Sequence, residues 1–364
     1  MTEIIHEKSK QKGLSMDQNM LLQSLYTLNE EEQFYKSYYY ARQQEYSYQK
    51  FMSSLDMNYV ETHHLILPEF PDTTPPIFED YWIFDVDQPI SALKHNCYTP
   101  EFVHDHTFFE LTYVYSGQCT QNINEQNISL HTGDFLIMPP GVMHSIAVFD
   151  ESIIVQIPVK KNTLTKVFFN FLSNDNILSM FFINNIYSKQ VNDYIIFHSG
   201  DDYHIRTAII MLLLENKNRY EYWQTMMINT LMNIFALLLR NYEKSVELPT
   251  IVKKTDIQRF GLIRYIQENY ANVTLEMIAQ KFHYTPEYTS KLIKDTTGMT
   301  FKKILQNIRM ERACYLLWDT NLTIQNIGYQ IGYENVEHFV RTFKKVIGMT
   351  PTEYRKSESN HHII

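Results

Sequence analysis

At 364 residues the chain exceeds one ordinary domain and has room for two or three, each with its own core. Its three cysteines, Cys97, Cys119 and Cys314, show no paired spacing, which argues against a disulfide framework or a thiolate zinc site and suits a reducing cytoplasm. The net charge of −9 is unevenly spread. Residues 1–250 carry 16 Lys+Arg against 30 Asp+Glu and the remainder 16 against 11, so a basic segment is joined to an acidic one. A nucleic-acid reader with a separate control unit needs that distribution, because phosphate neutralisation supplies most non-specific affinity. The opening MTEIIHEKSKQKGLSM has no apolar core of signal-peptide length, and no later stretch stays apolar over a bilayer's thickness, so neither export nor a membrane partner is expected.

In chain order, residues 1–80 read as a helical or extended N-terminal extension: polar and Tyr-rich, with Leu21, Leu22, Leu25 and Leu28 at helical spacing. Four prolines from Pro68 to Pro76 forbid regular helix and mark a linker. Residues 81–165 change to short apolar runs such as FELTYVY, DFLIMPP and SIIVQIPV, separated by Gly, Asn and Pro, which predicts an antiparallel barrel or sandwich. Residues 166–250 return to helical period as a linker region. There Trp223, Met226, Met227, Leu231, Ile234, Phe235, Leu238 and Tyr242 share one broad face. That face is wider than a small barrel requires, so the helix from about Tyr222 to Glu243 is expected to pair two chains, with a same-chain helix carrying Ile209, Ile210 and Leu212 to Leu214 as the alternative cover. The segment ELPTIV then leads into a basic helical domain over 251–358.

That last domain contains one pattern twice. TLEMIAQKFHYTPEYTSKLIKDTTGMT begins at Thr274 and TIQNIGYQIGYENVEHFVRTFKKVIGMT at Thr323. Ile278 matches Ile327 and Tyr284 matches Tyr333; past the turn, Lys291 pairs with Arg341, Lys294 with Lys344, and Gly298-Met299-Thr300 with Gly348-Met349-Thr350. Each copy reads as helix, tight turn, helix. Thr274 and Thr323 are N-caps, Ala279 and Gly328 are small where helices cross, Gly332 suits a positive φ, and Thr285-Pro286 and Asn335 start the second helices. With Leu292, Ile293, Phe339 and Phe343 inward, the outward faces carry Glu287, Ser290, Lys291 and Lys294 in one copy and Asn335, Glu337, His338, Arg341, Lys344 and Lys345 in the other. Arg and Lys can bond guanine O6 and N7, and Glu can accept from cytosine N4, so double-stranded DNA is the expected partner.

The region from Ile257 to Arg355 resembles the DNA-binding domain of the AraC/XylS family. The residues that carry the resemblance are the Gly332-Tyr333 turn, Phe339, Phe343-Lys344-Lys345, Gly348, Thr350-Pro351 and Tyr354-Arg355, with Arg309, Ala313, Leu316 and Leu317 upstream. The first copy departs by having Leu292-Ile293-Lys294 where an aromatic-lysine pair is more usual. The resemblance implies that the helix from Phe301 to about Trp318 is a spacer between two reader modules, each reading a half-site about one helical turn, ~34 Å, from the other.

In the strand-rich part, His104-Asp105-His106, Glu110 and Gly117, followed by Gly133, Pro139, Gly141 and His144, resemble the two cupin motifs in spacing. The implied fold is multidomain α+β: a cupin-like antiparallel β-barrel (jelly roll), a helical linker and an all-α double helix-turn-helix domain. The implied function is a transcription regulator responding to a small-molecule effector, a sugar or another metabolite, in a pocket containing His104, His106, Glu110, His144 and Tyr113. No cofactor is required, although His104, His106, Glu110 and His144 form a donor set suited to a divalent transition metal. The alternative is a cupin metalloenzyme with an appended DNA anchor. A homodimer, and RNA polymerase contact if the protein activates, complete the expected partners.

Overall fold

The computed structural model describes residues 18–70, 77–85, 88–161, 163–164, 176–187, 194–248 and 254–359. It divides into two compact units, Met1–Lys161 with Asn192–Pro249, and Asn162–Val191 with Thr250–Ile364. Among the described residues no helix is long and apolar enough to cross a membrane.

The first unit opens with a helical run over 18–25, then α1 (Glu30–Ala41), α2 (Glu45–Ser53) and α3 (Met57–Thr62). A capping box fixes the start of α1: Asn29 accepts from the Glu32 N–H, and Glu32 accepts from the Asn29 N–H. Strands follow as β1 (Ile77–Phe78), β2 (Leu93–Lys94), β3 (Asp105–His106), β4 (Phe109–Ser116), β5 (Gln118–Ile123), β6 (Gln126–His131), β7 (Asp134–Met138), β8 (His144–Ala147), β9 (Ile153–Val159) and β10 (Ile195–His198).

These strands form a five-stranded antiparallel sheet in the order β10-β7-β4-β9-β2 and a three-stranded antiparallel sheet β6-β5-β8, with β1 and β3 paired in parallel beside them. Val114, Leu136 and Ile154 of the larger sheet share one core with Cys119, Ile123 and Ile146 of the smaller. The cupin-like architecture is therefore two facing sheets and not a closed ladder. Gly133 makes the β6-β7 turn possible: its φ is +89°, and a Cβ there would lie 1.8 Å from the Gly200 carbonyl oxygen.

The division expected from sequence changes at two places. Tyr35, Tyr38, Val60, Leu65 and Leu67 enter the same core as the sheets, so residues from α1 onward are part of the strand-rich unit and not an extension before it. Burying side chains of this size contributes about 1.5–3 kcal/mol each, which a detached extension would forgo. The linker also splits. Helix Ile177–Tyr187 packs on α6 (Lys254–Glu268) in the second unit, while α4 (Tyr203–Asn218) and α5 (Trp223–Tyr242) belong to the first. The guanidinium of Arg206 on α4 lies over the Tyr115 ring and donates to the Tyr115 carbonyl at 2.6 Å, which ties these helices to β4. Helices α4 and α5 pack along each other, leaving Leu231 and Leu238 at 0% exposure within one chain. Met227, Leu231, Ile234, Phe235 and Leu238 of the broad face of α5 are thus covered by their own chain, the alternative partner of the sequence reading, while Met226 stays exposed and Trp223 and Tyr242 half-buried. Of the proline-rich linker, residues 71–76 lie outside the described residues, as do residues 1–17 and 249–253.

The second unit continues from α6 through α7 (Leu275–Phe282), α8 (Pro286–Thr297), α9 (Phe301–Asp319), α10 (Ile324–Gln330), α11 (Val336–Ile347) and α12 (Pro351–Ser359). Thr274 and Thr323 cap α7 and α10 by accepting from the Met277 and Asn326 N–H groups, as their spacing predicts. Ile304 and Ile308 of α9 belong to the core of the first helix-turn-helix; Met310, Ala313 and Leu317 belong to that of the second.

Candidate effector and nucleic-acid sites

Period-two alternation places His104 and His106 on one side of their strand and Asp105 on the other. An antiparallel bridge, with His104 N–H to His144 O at 3.0 Å and the reverse at 2.9 Å, sets His104 beside His144. Glu110 enters from β4, and its side chain shares a face with Phe108, Thr112 and, across the ladder, Gln156 and Pro158.

The three imidazoles are oriented alike. Nδ1–H of His104 donates to Phe102 O at 3.2 Å, that of His106 to Phe108 O at 2.8 Å and that of His144 to Val142 O at 3.0 Å. A carbonyl can only accept, so each Nδ1 carries the proton and each Nε2 presents a lone pair. The Nε2 atoms of His106 and His144 are buried without a hydrogen-bond partner, 3.7 and 3.9 Å from the Glu110 carboxylate.

Burial, reinforced by neighbouring imidazoles, holds His106 well below the usual imidazole range and lowers His104 to about 3. Burial raises Glu110, against the opposing effects of His144 and the hydrogen bonds from Gln156 and Thr112. Converging lone pairs around a buried carboxyl are short of a positive centre. Donors sharing one ion at about 2.0–2.2 Å sit roughly 3–4 Å apart, so His106, His144 and Glu110 fit a transition metal. Their potential ligand atoms lie within 4.8 Å of one another, and His104 falls outside that group.

His104, His106 and Glu110 line a cavity of about 220 Å³ whose walls include Phe78, Phe102, Phe108, Leu93 and Pro158, and His144 is not among the lining residues. Tyr113 does not line it. Three residues from Glu110, it points to the opposite face of β4, where its ring packs near Tyr115 and Phe135. Sequence reading missed other walls. Glu31, Tyr35 and His63 to Ile66 reach the cavity from the N-terminal helices, and Lys94, His95 and Gln156 from the sheet. Gln156 donates to Glu110 at 3.1 Å and accepts from His95 Nδ1 at 3.2 Å, leaving the buried His95 Nε2 without a partner. Burial lowers His95 to about 4. Lys94 is neutralised by Glu32 at 2.8 Å.

In the second unit the two second helices present the expected faces. Glu287, Lys291 and Lys294 are exposed on α8, with Ser290 half-buried; Glu337, His338, Arg341, Lys344 and Lys345 are exposed on α11, while Leu292, Ile293, Phe339 and Phe343 are buried. Asn335 is exposed, but its side chain caps α11 by accepting from the His338 N–H at 3.0 Å. Thr285 caps α8 in the same way, by accepting from the Tyr288 N–H at 3.2 Å. Tyr288, 51% exposed, lies on the same face as Lys291 and holds the place of His338 in the repeat. Sequence reading passed over it, although that register was available.

Residues 278–357 match the helix-turn-helix domain family, and residues 89–152 match the AraC-like ligand binding domain. The HTH-type transcriptional regulator YtdP of Bacillus subtilis is 33% identical over 99 residues, which is 27% of this chain and 13% of that protein. The MmsAB operon regulatory protein of Pseudomonas aeruginosa is 24% identical over 256 residues, covering 68% of this chain and 74% of the relative. The C-terminal domain of AraT, a response regulator from Geobacillus stearothermophilus, is 34% identical over 29% of this chain and 88% of that one, with a TM-score of 0.28.

A sheet domain of the AraC-like ligand-binding kind is followed by a duplicated helix-turn-helix, the fold of a DNA-binding unit. Both domain matches occur in that order in this chain, an AraC-like ligand-binding domain ahead of a helix-turn-helix domain, while the chain spans only about an eighth of YtdP's length.

Proposed function

We propose that this regulator binds a small polar metabolite in the cavity above His106, Glu110 and His144, and that occupancy changes how α8 and α11 engage a specific operator. The observation that carries this reading is the buried, unpartnered Nε2 pair facing Glu110 beneath an aromatic-walled cavity, in a chain whose other unit holds two reader helices. Unpaired buried acceptors cost about 1–3 kcal/mol each, a deficit that a ligand or ion supplying positive charge or donors would relieve. A metal would be held by His106, His144 and Glu110, and would supply a Lewis-acidic anchor for an oxygen of the effector. Gln156 orients the Glu110 carboxylate, and Phe78, Phe102 and Phe108 exclude water around it.

The same donor set favours a second reading, metal-dependent turnover of a small substrate, with the helical unit as a DNA anchor. Footprinting of the purified full chain on its own upstream region, with and without a metabolite panel, tests the first reading. A protected region altered by one metabolite supports it, and protection indifferent to every metabolite counts against it. Substrate consumption lost in His106→Ala would favour the second. Homodimer formation and RNA polymerase contact belong to the same proposal. The apolar groups left exposed on α4, α5 and the connection between them include Tyr203, Met211, Tyr220, Tyr222 and Met226, and sedimentation of the full chain at micromolar concentration reports whether they pair.

A further inference from the structure

The two helix-turn-helix halves meet at more than the helix they share. A single common helix, α9, would leave bending and twisting between the halves unopposed, whereas a second contact off its axis removes that freedom. The second contact is the turn after α6. Tyr270 packs against the cores of both halves. Arg309, midway along α9, donates from Nε to Tyr270 O at 2.9 Å and from the guanidinium Nη2 to Ala271 O at 2.9 Å. The same guanidinium lies 5.5 Å from the centroid of the Tyr333 ring, in the second half.

Gly332, immediately before Tyr333, sits at φ +87°; a Cβ there would be 1.9 Å from Ala271 O and 2.7 Å from Arg309 Nη2. Backbone of the second turn thus rests directly on a carbonyl of the first half, with Arg309 bonded beneath it. The first copy has His283 at the matching place, in the left-handed region at φ +57°. Left-handed geometry alone is therefore compatible with a side chain, and the close approach to Ala271 is what demands glycine at 332.

We propose that Arg309 and Gly332 form a clamp that fixes α8 and α11 at one separation and angle, so that the chain accepts a duplex with two sub-sites at a single spacing. Arg309 is a positioning residue: it acts on the readers through the Tyr270-Ala271 turn and touches no base. The clamp rests on the reading of α8 and α11 as DNA readers. Charge-assisted bonds to two carbonyls are directional as well as strong, so the pair resists rotation as well as separation. Inserting one base pair between sub-sites displaces the second by about 3.4 Å and roughly 35° around the helix, which a clamped pair cannot follow.

The test uses the full chain and a duplex that it selects from a random-sequence pool, with variants carrying one base pair added or removed between the two sub-sites. Fluorescence anisotropy gives the ratio of affinities at native and altered spacing, which a general loss of binding leaves unchanged. Wild type should lose at least about 10-fold on either change, the order of one mismatched base pair. Arg309→Ala should lose less than about 3-fold. Arg309→Lys, which keeps the charge but reaches one carbonyl, should fall between. Arg309→Ala decides if it melts cooperatively; otherwise Arg309→Lys decides. An undiminished spacing penalty in the deciding variant overturns the clamp alone, whereas failure of wild type to enrich any duplex overturns the reader assignment with it.

Discussion

Replacing Glu32 with Gln should loosen the N-terminal helices from the sheets. The Glu32 carboxylate is fully buried and accepts from Lys94 Nζ at 2.8 and 3.0 Å, from the Asn29 N–H at 3.0 Å and from the Cys97 N–H at 3.2 Å. It thereby joins the first turn of α1 to β2 and to the strand exit beyond it. Glutamine retains one acceptor oxygen and leaves the Lys94 ammonium, whose side chain is 14% exposed, without a counter-charge. Breaking one partner of a buried pair costs about 3–5 kcal/mol, a large share of a domain stability of roughly 5–15 kcal/mol. For a unit near 200 residues that is a fall in Tm of about 6–20 °C.

Thermal melts followed by circular dichroism measure the loss, and a double variant with Lys94→Met should recover much of it, since removing both charges ends the imbalance. Burial opposes ionisation of Glu32, but the Lys94 contact and the two backbone N–H groups outweigh it and hold the carboxyl below its usual range. Its contribution is complete above the unfolded value, about 4.3, and disappears as pH falls through the lower folded one, so wild type should lose its advantage over the variant in that acid window. A loss under about 1 kcal/mol, or a double variant as unstable as the summed singles, refutes the reasoning.

Arg341→Ala should cost ~1–3 kcal/mol and relax preference at one base position, whereas Lys345→Ala should weaken all sequences alike and lower the salt slope by about 1; binding isotherms on a mutated operator set at several salt concentrations separate the two. Phe343→Ala empties a fully buried site in the second half and should destabilise it by about 3–5 kcal/mol in urea titration; a shift below 1 kcal/mol would falsify the packing assigned to it. If the purified protein holds a stoichiometric transition metal, measured by elemental analysis, His106→Ala should abolish it while the circular dichroism spectrum stays native. A metal content equal to wild type removes His106 from the site.

The helical unit was legible because its signals are local. Two capping threonines, a duplicated spacing and alternately buried apolar pairs each operate within one or two turns, and Leu292, Ile293, Phe339 and Phe343 lie where that period puts them. The sheet unit was legible only along single strands. The histidines and Glu110 come together as their spacing implies, but His104 stands outside the inner donor group, and Tyr113 falls on the wrong face because an odd separation from Glu110 reverses its side. His95, Lys94 and the wall from Glu31 to Ile66 depend on contacts tens of residues apart, which no local period announces. The wide apolar face of α5 was expected to pair two chains, whereas much of it, Met227 to Leu238, is buried within one. Sequence could not decide that α4 supplies the cover, since a helix from the same chain and one from another bury the same area.

The cavity wall contributed by Glu31, Tyr35 and His63 to Ile66 lies wholly before residue 89, where the match to the family's ligand-binding domain begins. The shape of this cavity is therefore set partly by residues outside the matched domain. Under the effector reading proposed above, substitutions in the helical wall would change what the cavity admits without touching the polar cluster held by the sheet. A comparison confined to the matched domain would leave out the helical side of this cavity, so the two pieces have to be read together.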